Sequence, residues 1–209
     1  MQKIIALVCF CLLTLVSNAQ SIFELDTDAI ENPKEEKPFQ IDLEDSANYS
    51  TYIADSLALS IGLPDSLVVI NTNQNGNPLI NIGQNKEHFH RETATTMVIV
   101  NTQQKGNPKE LITRDILNIY DNMKDDPEHL HELENGKDYI NGSEAYWFLT
   151  SLTNTDSGNR NSFLGFYVQH PKTQEIYNIF IFTFEPKNYK KQLGTYYNYL
   201  QTLQWNKAE

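Results

Sequence analysis

Runs of alternating or continuous apolar residues predict a chain built mainly of β-strands. The segments with this pattern are 57–70, 78–83, 95–102, 129–134, 144–152, 162–170 and 175–184. In segment 175–184 both alternating sets of side chains are largely apolar, which is typical of a strand in a sheet covered on both faces. The preceding link, HPKTQE, predicts a hairpin turn around Pro171 and Lys172.

The apolar period changes after residue 107 and predicts two helices. Ile112, Ile116 and Ile119 share one face at helical spacing. Asn107 suits the N-cap and Pro108 the first helical position of this helix. A second helix is predicted near the end of the sequence by the same period at Tyr189, Leu193, Tyr196, Tyr197, Leu200 and Leu203.

Two stretches of the chain are nearly identical: VVINTNQNGNP at 68–78 and VIVNTQQKGNP at 98–108. Gly76 and Gly106 allow a positive φ, and the following Asn-Pro is expected to end the strand. No third copy follows, whereas a repeat architecture needs about three stacked units. We interpret the stretches as one kind of turn used twice. A duplicated ligand loop stays open, because Asn, Thr and Gln side chains can bind sugars or peptides.

The first residues, MQKIIALVCFCLLTLVSNAQ, predict a secretory signal peptide over residues 1–19. Lys3 supplies the positive end, and the apolar run 4–16 is shorter than the roughly 20 residues that span a bilayer. Residues 20–50 contain many carboxylates and no apolar period, which predicts a flexible acidic lead-in. The folded domain is expected over residues 51–209, without a membrane-spanning segment after cleavage.

Charge and cysteine content narrow the possible functions. The chain has a formal net charge of −11, and nucleic acids and anionic membranes are bound by basic surfaces, so neither is an expected partner. The two cysteines, Cys9 and Cys11, both lie in the predicted signal peptide. The mature chain is therefore expected to fold without disulfides and to carry no thiol chemistry.

The order of strands, helix, four strands and helix resembles the PsbP-like superfamily. The resemblance rests on ALSIGLPDSLVV (58–69), YINGSEAYWFLTSL (139–152) and IYNIFIFTFEPKNYKKQ with YLQTLQW (176–205). Leu67 stands where the family pattern has an aromatic residue. The resemblance implies an α+β fold with an antiparallel sheet flanked by helices, an α/β/α sandwich. It also implies an accessory, chaperone or docking role, and no functional residue of the family maps onto this chain.

Four of the five histidines lie in two H-x-H pairs, His88 with His90 and His129 with His131. In a strand, residues i and i+2 share a face, so each pair can present two imidazoles to one ion. If the two pairs met, they would form a tetrahedral zinc site. The sequence does not show that they meet, and histidines in such charged, turn-rich segments are also typical of solvated surfaces.

Three Asp-Ser pairs precede a small or aliphatic residue, at Ser46, Ser56 and Ser66. They resemble the O-glycosylation acceptor of a group of bacterial envelope proteins, which makes these serines candidate modification sites. Asp-Ser is also an ordinary pair in turns and at helix N-termini.

The sequence therefore predicts an exported, non-enzymatic accessory or docking protein of the bacterial envelope, periplasmic or extracellular, that binds another envelope protein. It contains no G-x-S-x-G, P-loop or G-x-G-x-x-G motif. One alternative is a module that binds a metal or small ligand through the H-x-H pairs. A carboxylate-dependent hydrolase is a further alternative, and it requires two carboxylates with separated pKa values in one cleft.

Overall fold

The computed structural model describes residues 25–40, 48–84, 95–123, 129–153, 158–184 and 187–206. The elements in chain order are α1 (Thr27–Glu31), β1 (Tyr49–Ala54), β2 (Leu59–Pro64), β3 (Val68–Gln74), β4 (Asn77–Gly83), β5 (Thr95–Lys105), α2 (Pro108–Met123), β6 (Leu130–Ile140), β7 (Ser143–Thr153), β8 (Arg160–Gln169), β9 (Glu175–Thr183), α3 (Tyr189–Leu200) and β10 (Gln204–Trp205). A short 3₁₀ turn, Asp55–Leu57, joins β1 to β2.

Within the described residues, seven strands form one antiparallel sheet in the order β3-β4-β5-β9-β8-β7-β6. Most neighbours are joined by hairpins, but β5 and β9 are distant in sequence and pair over most of their length, for example Ile99 with Ile179. A smaller sheet has the order β1-β2-β10. The predicted α+β fold with an antiparallel sheet is confirmed, whereas strand β1 and the smaller sheet were not predicted.

One face of the main sheet packs against α3 and the smaller sheet and contains the larger core. Its aliphatic residues come from the central strands, and the helix adds Leu193, Tyr197 and Leu200, all fully buried. The Tyr197 hydroxyl donates to Asp138 Oδ2 at 2.5 Å. Burial, together with this bond, raises the pKa of Tyr197. The predicted C-terminal helix is confirmed, although it ends at Leu200, before the predicted end.

The other face packs against α2, which lies over β7 and β8. Ile112 and Ile116 contact Phe148 and Tyr167 in a second buried cluster. The Tyr167 hydroxyl donates to Asp115 of α2. Burial and this bond raise the pKa of Tyr167 and keep its proton in place. The helical face predicted from the isoleucines is thus the buried one.

The two similar stretches have different surroundings. In the first, Asn75 and Gly76 both have positive φ (54° and 88°) and form a two-residue hairpin turn, after which Asn77 and Pro78 begin β4. The expectation that Asn-Pro ends a strand is wrong here, because Pro78 occupies a strand position beside β3. In the second stretch, Asn107 Oδ1 accepts from the Lys109 amide at 3.0 Å and caps α2.

Residues before β1 also contact the domain. Lys34 and Glu36 exchange backbone hydrogen bonds with Lys137 on the outer edge of β6, at 2.9 and 2.8 Å. The ring of Phe39 lies 6.3 Å from that of Tyr197. No helix among the described residues is long and apolar enough to cross a membrane.

Two aromatic side chains of β7 lie directly over glycines of the adjacent strands. Trp147 pairs with Gly136 of β6, and Phe148 pairs with Gly165 of β8. A Cβ atom at Gly136 would lie 2.6 Å from Trp147 Cζ2, so the indole occupies the space that any other residue would need. The Trp147 Nε1–H donates to the Glu36 carbonyl at 2.7 Å, which fixes the ring in this position.

We predict that Gly136→Ala lowers the free energy of unfolding by about 1–3 kcal/mol, because the added methyl group displaces Trp147 from a packed site. Urea denaturation measures the change. Gly106→Ala is the matched control, since a methyl group added at Gly106 would meet no atom within 4 Å, and its effect should stay within about 0.5 kcal/mol. Equal effects of the two substitutions would contradict the packing argument.

Candidate functional site

Two of the four histidines in the predicted metal site lie among the described residues. His129 and His131 lie at the start of β6, and His88 and His90 fall outside the described residues. His131 Nε2 is within hydrogen-bonding distance of Thr153 Oγ1, at 2.6 Å. Burial lowers the pKa of His131, and the neighbouring Arg160 and His129 side chains lower it further. The ring is therefore neutral at pH 7, as a metal ligand must be, but Arg160 opposes a cation beside it.

In the sequence, His88 and His90 fall between β4 and β5, and His129 and His131 fall at the start of β6. Residues 85–94 connect β4 to β5, and three strands, β9, β8 and β7, lie between β5 and β6. Four strand spacings amount to roughly 19 Å. Within the described ranges, no group of three or more His, Cys, Asp or Glu side chains is arranged to hold a metal ion. A zinc site shared by the four histidines stays a prediction.

A polar cluster that the sequence did not indicate lies beside His131 on the face covered by α3. Lys190 Nζ lies 2.6 Å from one Glu132 oxygen, and the Tyr189 hydroxyl donates to the other at 2.7 Å. Burial raises the pKa of Glu132, but these bonds outweigh it and hold that pKa below its usual range. Arg160 Nε donates to the buried Ser151 Oγ at 2.7 Å. These groups satisfy one another and stabilise the end of the sheet.

Glu132 and Glu134 bear on the hydrolase alternative, because their pKa values are shifted in opposite directions. Burial raises the pKa of Glu134, and the neighbouring charge of Glu132 raises it further. However, Glu132 is held by Lys190 and Tyr189, and the 330 Å³ cavity beside Glu134 is lined by Trp147, Lys34 and residues 36–38 rather than by Glu132. Glu134 thus faces this cavity, while Glu132 is engaged by α3.

A 410 Å³ cleft lies where the β6–β7 turn meets the start of α2. Its polar groups bond to one another. Tyr146 donates its hydroxyl proton to Glu144, and Lys137 Nζ lies 2.5 Å from the same carboxylate. Gln169 Nε2 donates to the Gly106 carbonyl at 3.2 Å. Because these donors and acceptors already bond to other protein groups, they stabilise the ends of the strands and are not directed at a ligand.

His170 is the histidine that the sequence analysis did not single out, and it is fully buried. Its Nδ1 accepts from the Lys172 and Thr173 amides, at 3.2 and 3.1 Å, inside the predicted turn. The ring packs edge-on against Trp205, with centroids 5.0 Å apart. Burial lowers the pKa of His170, with Glu175 acting in the opposite direction. Its hydrogen bonds require the neutral ring, so its role is structural.

The main sheet has an area on the α2 side over which no described helix packs extensively. Pairing registers place its side chains in three rows across β3, β4, β5 and β9, which we call the open half-face: Val68, Gly83, Thr96 and Phe182; Ile70, Asn81, Val98 and Phe180; Thr72, Leu79, Val100 and Asn178. None of these residues is charged, although 21% of the chain is. Most of its large apolar side chains are half-buried.

The candidate glycosylation serines are described at two of three positions. Ser56 lies in the 3₁₀ turn between β1 and β2, and Ser66 lies in the turn between β2 and β3; both are exposed. Ser46 falls outside the described residues. Exposure in a turn is what a modifying enzyme requires, and the modification of these serines stays a prediction.

Comparison with known proteins gives fold-level similarity alone. No family model matches the chain, and no curated protein matches its sequence. Among solved structures, a cyanobacterial PsbP from Synechocystis is 9% identical with a TM-score of 0.48, over 76% of this chain and 93% of that one. The Ran-binding protein Mog1p of Saccharomyces cerevisiae is 10% identical with a TM-score of 0.47, over 76% and 95%.

A third similar structure is LpqN, described as involved in cell envelope biogenesis of Mycobacterium tuberculosis. It is 7% identical with a TM-score of 0.39, over 75% of this chain and 84% of that one. The sequence resemblance is to the PsbP-like superfamily, and a PsbP is among these similar structures. At these identities and TM-scores, no partner or chemistry is transferred to this chain.

If the four histidines share a site, we expect the protein to bind one zinc ion per chain in native mass spectrometry. His129→Ala/His131→Ala should abolish the binding, because it removes both described ligands. Arg160→Gln should strengthen it, because the substitution removes a positive charge beside His131. Unchanged zinc binding by the double variant would rule out a zinc site shared by the four histidines.

A second prediction concerns His170 and pH. Its pKa in the folded state lies below the unfolded value of about 6.5, so the unfolded chain takes up the proton first and stability falls as pH drops below about 6.5. His170→Asn keeps an acceptor near Nδ1 but cannot titrate. At pH 7.5 it should cost about 1–3 kcal/mol through lost ring packing, and the cost should shrink towards pH 5. Urea unfolding at several pH values tests this, and a constant difference would contradict it.

Proposed function

We propose that the chain is an exported, non-enzymatic accessory protein that binds another protein of the bacterial envelope through the open half-face. The observation that carries the proposal is the absence of charge from all three of its rows. Sheet faces that meet water usually carry polar and charged side chains. A contiguous uncharged surface with valine, isoleucine and phenylalanine side chains is typical of protein–protein contact.

The centre of the open half-face is formed by Val98 and Val100 of β5. Val98 lies between Asn81 and Phe180, and Val100 has Leu79 beside it on β4. The asparagines supply hydrogen-bonding groups among apolar side chains, a composition that suits a partner which associates and is released. The predicted signal peptide supports export, since it would direct the chain to the envelope.

The remaining features support a binding role over catalysis. Two carboxylates are each held by a lysine and a tyrosine: Glu132 by Lys190 and Tyr189, and Glu144 by Lys137 and Tyr146. Such contacts hold strands and helices together, and they engage the carboxylate of Glu144 although it lines the 410 Å³ cleft. The metal- and ligand-binding alternative depends on the two H-x-H pairs meeting.

We predict that Val100→Asp weakens binding of the envelope partner at least about 30-fold, because burying an unpaired carboxylate in an apolar contact costs about 2 kcal/mol or more. The partner is first recovered with the wild-type protein from envelope extract, then purified and titrated against each variant by calorimetry.

Ile53→Asp is the matched control, because Ile53 is an apolar residue 59% exposed on β1, away from the open half-face. It should leave the affinity unchanged, and thermal unfolding should show that both variants remain folded. A partner bound equally well by the Val100→Asp variant would show that the contact lies elsewhere.

A further inference from the structure

We propose that the partner contributes an extended segment that pairs with the outer edge of β3 as an added strand of the main sheet. This inference rests on the proposed function and names the kind of partner segment that the same surface would take. The segment would extend the rows of the open half-face by one strand, so that its backbone binds the edge and its side chains bind the face.

The two edges of the main sheet differ in whether a described segment of the chain lies alongside them. At β6, residues 34–36 lie alongside the strand, with Glu35 bridged in parallel to Lys137. At the opposite edge, β3 pairs with β4, and the described residues make no other backbone hydrogen bond to it. The β6 edge shows that this sheet accepts an added extended segment, while the β3 edge has a row of backbone groups that no described segment pairs with.

The hairpin turn identifies which backbone groups face outward. Asn75 and Gly76 are the two turn residues between Gln74 and Asn77, and the residues flanking a two-residue turn form a hydrogen-bonded pair. Hydrogen-bonded and non-hydrogen-bonded pairs alternate along an antiparallel ladder. The amides and carbonyls directed away from β4 are therefore those of Val69, Asn71 and Asn73.

Among the described residues, the β3 edge lacks the features that normally prevent strand addition. Proteins protect edges with charged side chains, prolines, bulges or covering segments. The sequence of β3 is VVINTNQ, with no charge and no proline, and its register with β4 is continuous from Val68 to Gln74. Three outward amides and three outward carbonyls are thus presented in regular spacing for an extended backbone.

The surroundings of β3 set the chemistry of the segment. On one side it continues the rows that begin at Val68, Ile70 and Thr72, so alternate residues of the segment should be apolar. On the other side Asn71 donates to the Tyr52 hydroxyl at 2.8 Å, so the intervening residues should be polar. The net charge of −11 favours a segment without acidic residues and opposes pairing with a second copy of this chain.

The first test uses a synthetic peptide of alternating valine and threonine with a lysine at each end, and amide hydrogen exchange of the isotope-labelled protein measured by NMR. In the free protein, the amides of Val69, Asn71 and Asn73 should exchange rapidly, while those of Val68, Ile70 and Thr72 are protected by β4. At about 1 mM peptide, the three outward amides should slow at least about tenfold. Unchanged exchange at this concentration would overturn the proposal.

The second test uses a matched pair of variants. Asn71→Pro removes the side-chain amide and the outward N–H without removing a bond to β4, whereas Asn71→Ala removes the side-chain amide alone. In the alanine variant the peptide should still protect the amides of Val69 and Asn73. Its affinity for the proline variant should be at least about tenfold lower than its affinity for the alanine variant. If Asn71→Pro does not fold, Asn73→Pro and Asn73→Ala near the end of the strand replace the pair. Equal peptide binding by the two variants of a pair would overturn strand addition.

The outcomes separate this inference from the proposed function. If the purified partner binds the proline variant normally but fails to bind the Val100→Asp variant, the open half-face is the contact and strand addition is wrong. If the partner binds the Val100→Asp variant with unchanged affinity, the proposed function is wrong, regardless of whether the peptide slows amide exchange. Protection of the outward amides that rises with protein concentration, without peptide, would assign the β3 edge to a second copy and overturn the proposal.

Discussion

The antiparallel pairing of β5 with β9 is the constraint on which the rest of the structure depends. It joins the strands β3 to β5 to the later strands β6 to β9 and makes one continuous sheet. The connection from β5 must then pass from the middle of the sheet to its far edge, where β6 lies. Helix α2 belongs to this connection and lies over β7 and β8, so no described helix packs extensively over the earlier strands on that face. The open half-face is therefore a consequence of the strand order.

The elements that the sequence predicts well are those whose side chains alternate in contact with a core. Strands β7, β8 and β9 and the isoleucine face of α2 have this property, and their patterns locate them closely. Strand β6 extends well beyond its predicted segment, because it is a sheet edge whose residues are stabilised by tertiary bonds, such as Asp138 with Tyr197. Strand β1 was missed because most of its residues are only partly buried or exposed and show no apolar alternation. The smaller sheet was missed because β10 pairs with β2, which is distant in sequence, and such pairing leaves no periodic signal.

The candidate site was less accessible from sequence, for a related reason. In β9 both alternating sets are apolar, and this pattern predicts a strand covered on both faces. The structure covers one face with α3, while Phe180 and Phe182 on the other are half-buried. An apolar pattern predicts that the side chains are buried, but it does not show whether a helix of the same chain or a partner protein buries them. A core residue and a docking residue therefore look alike until the strand order is known. The same limit applies to His170, whose role in a turn is visible in the structure alone.

Charge connects the open half-face with the β3 edge. Acidic residues give the chain a net charge of −11, yet they are absent from all three rows of the open half-face and from β3. Because the rows run perpendicular to the strands, each one reaches the edge at Val68, Ile70 or Thr72. The face and the edge are thus one surface: its apolar rows end at a line of β3 backbone groups that have no partner among the described residues. A segment that satisfied the edge alone would leave the apolar rows in water, whereas an extended segment followed by a packed domain would cover both.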